Sequence, residues 1–142
     1  MNLSEPVPFY GRYINNIILT SAGGLLIPPS IGRDSLMMPS FIAPFLTSMP
    51  PSDSDSVIFN DRLDQGADFI VEWDRHFNNG EDNRLKMQLR LLLDGSMTFV
   101  YKHFHQSVIE DISSKNYPVF IGLKDGFSAP VPESTPEGLS QK

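Results

Sequence analysis

The fold is decided by one stretch, Arg84-Leu85-Lys86-Met87-Gln88-Leu89-Arg90-Leu91-Leu92-Leu93. Apolar side chains occupy every second position from Leu85 to Leu93, and polar or basic side chains stand between them as far as Arg90. This two-residue period is typical of a half-buried β-strand, in which successive side chains point to opposite faces. Leucine favours helices, but that preference is weak and the alternation outweighs it. We therefore predict one long strand.

The turn that follows determines how this strand pairs with its successor. Asp94-Gly95 leads into a second alternating segment, and a two-residue loop there would set the aromatic side of one strand against the charged side of the other. A three-residue loop, Leu93-Asp94-Gly95, keeps one apolar face. The pairs of that register are Leu91 with Met97, Leu89 with Phe99, and Met87 with Tyr101. We predict the three-residue loop, as a type I turn closed by a bulge with Gly95 at positive φ.

Short segments of strand character fill most of the remaining chain. Phe69, Val71 and Trp73 alternate with more polar neighbours, and twelve prolines and ten glycines interrupt almost every longer window. Further strands are predicted at residues 16–20, 25–27, 41–45, 57–60 and 119–123. The pattern predicts an all-β fold, a two-layer antiparallel β-sandwich or a jelly roll, with at most one short helix near residues 107–113.

Composition limits the domain organisation and the class of partner. A length of 142 residues with 40% apolar content is typical of one packed domain, which we place at residues 1–128. The Pro-rich segment 129–142 is predicted to be a disordered tail. The net charge of −6 argues against a nucleic-acid partner, and the absence of cysteine excludes disulfides and thiolate chemistry.

Several blocks of residues, in their order, carry a resemblance to a known family. They are Phe9-Tyr10-Gly11, Gly23-Gly24, Phe41-Ile42-Ala43-Pro44-Phe45, Asp68-Phe69-Ile70-Val71-Glu72-Trp73-Asp74, Leu93-Asp94-Gly95-Ser96-Met97-Thr98-Phe99-Val100-Tyr101-Lys102, residues 108–113, and Pro118-Val119-Phe120-Ile121-Gly122-Leu123-Lys124-Asp125-Gly126-Phe127. Together they resemble the nidogen-type extracellular domain of the plexin domain-containing proteins, also called tumour endothelial marker proteins. The likeness runs from Phe9 to Phe127.

The resemblance implies a β-rich, non-enzymatic ligand-recognition module at the cell surface. Proposed ligands in that family are pigment epithelium-derived factor and basement-membrane nidogen. The family's chain continues into a further strand, a cysteine-rich module and a single transmembrane helix, which are not in this chain, so membrane attachment is expected only through such segments. A structural matrix-adhesion module is the alternative reading. The family supplies no contact residues to carry over, and the oligomeric state stays open.

Four basic residues are the candidate ligand-facing site. Arg84, Lys86, Arg90 and Lys102 would share the outward face of the long hairpin and form a basic strip on an acidic protein. Such a strip could steer an acidic ligand or a sulfated glycan, whereas its structural explanation is a sheet face kept soluble by charge. Asn2-Leu3-Ser4 fits the N-glycosylation pattern, which makes Asn2 a candidate acceptor if the chain is secreted.

Two other clusters contain residue types that bind metals. His103 and His105 would share one side of a strand, and with an acidic third ligand they would suggest a metal-dependent enzyme. No third ligand has a diagnostic spacing, so we expect two solvated histidines at a strand end. The carboxylates of Asp53, Asp55, Asp61, Asp64 and Asp68 could collect around calcium, but they lack EF-hand spacing and are expected to be solvated. We assign no catalytic residue, metal or cofactor.

Overall fold

The computed structural model describes residues 1–29, 39–77 and 83–124. In these residues ten strands, one short 3₁₀ helix and one α-helix follow one another along the chain. The strands are β1 (Asn2–Phe9), β2 (Arg12–Asn16), β3 (Ile18–Leu19), β4 (Leu25–Ile27), β5 (Ser40–Thr47), β6 (Ser56–Asp61), β7 (Phe69–His76), β8 (Arg84–Leu91), β9 (Met97–Phe104) and β10 (Val119–Lys124). The 3₁₀ helix covers Leu63–Gln65, and the α-helix α1 covers Gln106–Ser114.

Two four-stranded antiparallel sheets form the body of the protein. The first sheet has the order β10-β5-β4-β3, and the second has the order β6-β7-β8-β9. A separate hairpin of β1 and β2 packs beside them. The predicted all-β class and the single short helix are confirmed, and the arrangement is that of an antiparallel sandwich.

The core lies between the inward faces of the two sheets. The first sheet contributes Leu25, Ile27, Ile42 and Phe45, and the second contributes Phe69, Val71, Trp73, Leu85, Met87 and Leu89. Helix α1 adds Val108 and Ile112. Trp73 is fully buried, and its indole Nε1 donates a hydrogen bond of 2.6 Å to the carbonyl of Thr20. This bond links the second sheet to the chain just after β3.

The hairpin of β8 and β9 has the predicted loop and register. Leu91 faces Met97, Leu89 faces Phe99, and Met87 faces Tyr101. The amide of Leu92 donates to the carbonyl of Ser96 at 3.0 Å, which leaves three residues in the loop, and Gly95 has φ 86°. Both predictions are confirmed. The physical reason is that only this register keeps the apolar side chains of both strands on one face.

Most predicted elements are present, with shifted ends. β4 matches its prediction, β5, β6 and β10 each extend beyond theirs, and α1 is one residue longer at each end. The long strand ends at Leu91, one residue before the position next to the predicted loop, because the carbonyl of Leu92 already accepts from the amide of Gly95 at 3.0 Å. The strand expected at residues 16–20 is wrong in its extent, since Asn16 closes β2 and β3 contains only Ile18 and Leu19.

Two strands at the amino terminus were not predicted. β1 contains Pro6 and Pro8, and proline ordinarily argues against a strand because it cannot donate a ladder hydrogen bond. The pairing of β1 with β2 has an irregularity between Asn2 and Val7, and the two strands form a sheet of their own, so Pro6 and Pro8 interrupt no larger ladder. Val7 and Phe9 then reach the core. The predicted domain end at residue 128 and the tail at 129–142 lie outside the described residues.

Candidate recognition face

The outward side of the second sheet carries a continuous group of charged and polar side chains. We call it the charged face, and its members are Glu72, Asp74, Arg84, Lys86, Gln88, Arg90 and Lys102. Cross-strand register places Glu72 opposite Gln88 and Asp74 opposite Lys86. The members on β7 and β8 alternate with residues of the core, which is why they share one face, and Lys102 of β9 joins them through its bond to Glu72.

Glu72 is the centre of the charged face. Its carboxylate accepts a hydrogen bond from Lys102 Nζ at 2.7 Å and from Gln88 Nε2 at 2.8 Å, and Lys86 Nζ lies 3.3 Å away. Burial alone would raise the pKa of Glu72, but the bonds from Lys102, Gln88 and Lys86 together outweigh it and hold that pKa below its ordinary value. Glu72 therefore stays ionised although its side chain is almost enclosed.

A second ion pair lies next to this cluster. Arg84 donates two hydrogen bonds to Asp74, from Nε at 2.8 Å and from Nη2 at 2.6 Å. The paired geometry lowers the pKa of Asp74 and raises that of Arg84. Arg84 is therefore held in place by Asp74.

Arg90 is the least constrained cation of the charged face. Arg90 is exposed, and within the charged face its guanidinium contacts only Gln88 Oε1. Its Nε and Nη2 atoms both lie 3.4 Å from that oxygen, which is long for a hydrogen bond. Four cations and two carboxylates make up the charges of the face, so positive charge is in excess on a chain whose net charge is negative. The structure thus brings Arg84, Lys86, Arg90 and Lys102 together, as the alternation predicts.

The acidic members of this face were not assigned from the sequence. Three of the four cations pair with Glu72 or Asp74, so the strip is a charged network and not a purely basic surface. The signal was present in the alternation, because Glu72 and Asp74 flank Trp73 on the side opposite to the core. Only the register between β7 and β8 shows that they meet the cations.

The two candidate histidines have separate roles. His103 lies in β9 opposite Lys86, whereas His105 follows the end of β9 and caps α1. The Nδ1 atom of His105 accepts from the amide of Ser107 at 3.2 Å. The expectation that both imidazoles share one side of a strand is therefore wrong, because the chain has already turned into the helix at His105.

Of the five aspartates considered as calcium ligands and expected to be solvated, Asp55 has a side chain only 6% exposed, and Asp55 and Asp61 hold the backbone in two places. Asp55 accepts from the amides of His76 at 2.6 Å and Ser52 at 3.0 Å. Asp61 accepts from the amide of Ser4 at 2.6 Å and from its hydroxyl at 2.7 Å, which ties β1 to β6. Within residues 1–29, 39–77 and 83–124, no group of three or more acidic or histidine side chains is arranged to hold a metal ion.

Asn2 is exposed in β1, opposite Asn16. The hydroxyl of Ser4, the third residue of the glycosylation pattern, is already engaged with Asp61 and with the amide of Asp64 at 3.1 Å. Glycosylation of Asn2 stays a prediction.

Glu72→Gln is expected to make the stability of the protein less dependent on pH. Folding lowers the pKa of Glu72 below its ordinary value of 4.5. The ionised side chain therefore stabilises the fold above pH 4.5, and this contribution is lost as the pH falls through the folded-state pKa. We expect the variant to lose about 1 kcal/mol at neutral pH, since Lys86 and Lys102 can turn to water when their partner is neutral. Urea unfolding followed from about pH 7 to about pH 3 measures this slope.

The matched control is Glu110→Gln, which removes an exposed carboxylate from α1. It should leave the pH slope of the wild type unchanged. A Glu72→Gln variant with the same slope as the wild type would contradict the role assigned to this carboxylate.

No protein-family model matches this chain, and no solved structure matches it. In the parts of the chain that the structure describes, no helix has both the length and the apolar content needed to cross a membrane.

Proposed function

We propose that this chain is an extracellular domain that recognises a protein ligand and performs no chemistry on it. The resemblance to plexin domain-containing receptors suggests the class, and pigment epithelium-derived factor or a basement-membrane protein would be the ligand. The observation that supports it best is the charged face, where an excess of positive charge lies on a four-stranded sheet. Complementary charge accelerates association and selects partners, so an acidic surface on the ligand fits this face.

Lys86 and Arg90 are the residues expected to meet the ligand. Arg84 is fixed by two bonds to Asp74, and Lys102 makes the shorter of the two lysine contacts to Glu72. Lys86 is further from Glu72, and Arg90 makes only long contacts to Gln88. These two side chains can therefore reorient towards a ligand with the least loss of existing bonds.

The double variant Lys86→Gln with Arg90→Gln should lower affinity for the ligand about tenfold, mainly through slower association and with a weaker dependence on salt. Surface plasmon resonance of the full chain against pigment epithelium-derived factor, basement-membrane nidogen and heparin measures this. Lys102 keeps Glu72 paired in the variant, so the fold should be retained, and circular dichroism checks that.

The double variant Arg62→Gln with Lys124→Gln is the matched control, because it also removes two positive charges and both residues are exposed outside the charged face. It should leave affinity within about twofold of the wild type. Equal losses in both variants would show that overall charge, and not this face, governs binding. A wild-type chain that binds none of the three probes would contradict the proposed function.

A further inference from the structure

Five apolar side chains are exposed along one side of the sandwich. They are Tyr101 and Phe104 of β9, and Val119, Ile121 and Leu123 of β10, each between 39% and 53% exposed. We call this strip the open seam. β9 and β10 each end a sheet, so the seam follows the two sheet edges. It is separate from the charged face, which lies on the outward side of the second sheet.

The register shows that most of these side chains belong to the inward faces. Tyr101 lies opposite Met87 and Phe104 opposite Leu85, and both partners are fully buried. On the first sheet, Leu123 lies opposite the buried Ile42. Directly opposed residues of an antiparallel pair point to the same face. The seam is therefore an uncovered continuation of the core.

The uneven extent of the two sheets explains why the seam is open. The side of the first sheet near β3 lies over β7, where Trp73 bonds to Thr20. β5 lies over the last strand of the second sheet, where the Tyr101 hydroxyl donates to the carbonyl of Pro44 at 2.5 Å and the rings of Phe45 and Phe104 meet edge to face. β10 is one strand further along, so it extends beyond β9. Among the described residues no strand of the second sheet lies beneath it.

We propose that an extended segment of a partner protein pairs with the edge of β9 and fills the open seam. In the part of the chain that the structure describes, β9 pairs only with β8, so the hydrogen-bonding groups on its other side are available to a further strand. That strand would lie beneath β10, with its apolar side chains against Val119, Ile121 and Leu123. One added strand thus completes the second sheet and covers the seam.

The charges beside the seam define the chemistry of the partner strand. The register between β8 and β9 is irregular between Lys86 and Met87, so the neighbours Lys102 and His103 both lie on the outward side of β9. A strand added at this edge would place its own outward side chains near Lys102, so acidic residues are favoured there. A second copy of this chain pairing through its own β9 would bring a further lysine to this edge, and no acidic side chain. The partner segment is therefore one that alternates apolar and acidic residues.

A synthetic peptide of alternating valine and glutamate, as long as the eight residues of β9, tests the proposal. It should bind the full chain and slow hydrogen exchange of the β9 amides that point away from β8, whereas a valine and lysine peptide should bind at least tenfold more weakly. Ile121→Glu should lower the affinity for the valine and glutamate peptide at least tenfold, because it places a charge in the seam. Ile121 is 53% exposed, so the substitution should be compatible with folding.

Ile18→Glu is the matched control, since Ile18 is 50% exposed and lies in β3 at the far edge of the first sheet. Equal loss of affinity in both variants, or peptide binding that does not protect β9, would overturn the proposal. A wild-type dimer in sedimentation that Ile121→Glu dissociates would identify a second copy as the occupant. Protection, in the free monomer, of the β9 amides that point away from β8 would identify a segment of this chain. Either result would also overturn it, while the charged face could still bind its ligand.

Discussion

Trp73→Ala is expected to lower the free energy of unfolding by about 3 to 5 kcal/mol, the range for truncating a buried aromatic side chain. Trp73 is fully buried in β7, between Met87 of β8 and Val57 of β6 in the sheet register. The substitution opens a cavity in the core and leaves the carbonyl of Thr20 without its 2.6 Å bond. Urea unfolding followed by far-ultraviolet circular dichroism measures the loss, because the variant has no tryptophan left to report by fluorescence.

Trp73→Phe separates the two contributions. It keeps an aromatic ring in the core but removes the indole donor, and should cost about 1 to 3 kcal/mol. If Trp73→Ala were no more destabilising than Trp73→Phe, the filled volume would not be the main contribution of this side chain.

Arg75→Met should be comparably damaging, at about 3 to 5 kcal/mol, although methionine is apolar and the site is buried. The guanidinium of Arg75 is 1% exposed and donates to the carbonyls of Ala22 at 3.1 Å and Met49 at 2.9 Å. Its Nε lies 3.5 Å from Asp55 Oδ2. Burial lowers the pKa of Arg75, and the Asp55 carboxylate opposes that shift. Methionine would leave these three acceptors without their cation.

Arg75→Lys tests whether charge alone is sufficient. The planar guanidinium donates to the carbonyls of Ala22 and Met49 at the same time, which one ammonium group cannot reproduce. The lysine variant should therefore recover only part of the lost stability. Urea unfolding monitored by Trp73 fluorescence gives the ranking. An Arg75→Met variant as stable as the wild type would mean that packing against Phe77 is enough at this position.

Elements whose side chains alternate strictly could be predicted from the sequence. In β8 and β9 the apolar faces admit only one register, so the three-residue loop and its pairs followed from the pattern. β1 was missed because proline argues against a strand, and that rule does not anticipate a two-stranded hairpin with an interrupted ladder. Arg75 was also missed, because its partners Ala22 and Met49 are distant in sequence.

The sequence predicted which cations form the candidate site, but not which carboxylates they pair with. Arg84, Lys86 and Arg90 share a face by simple alternation along β8. Their pairing with Glu72 and Asp74 depends on how β7 aligns with β8, which no local pattern determines. The open seam depends on which sheet extends further, a property of the layers and not of any one strand.

The order in which strands pair has a consequence for how the chain folds. β6, β7, β8 and β9 each pair with a neighbour in sequence, so this meander forms through short loop closures. β10 instead pairs with β5, joining Val119 to Thr47 and Lys124 to Phe41. Pairing β10 with β5 closes a longer loop than any pairing within the meander and so costs more chain entropy, which slows the formation of that pair. During synthesis β5 must wait for its carboxyl-terminal partner while the meander can already assemble.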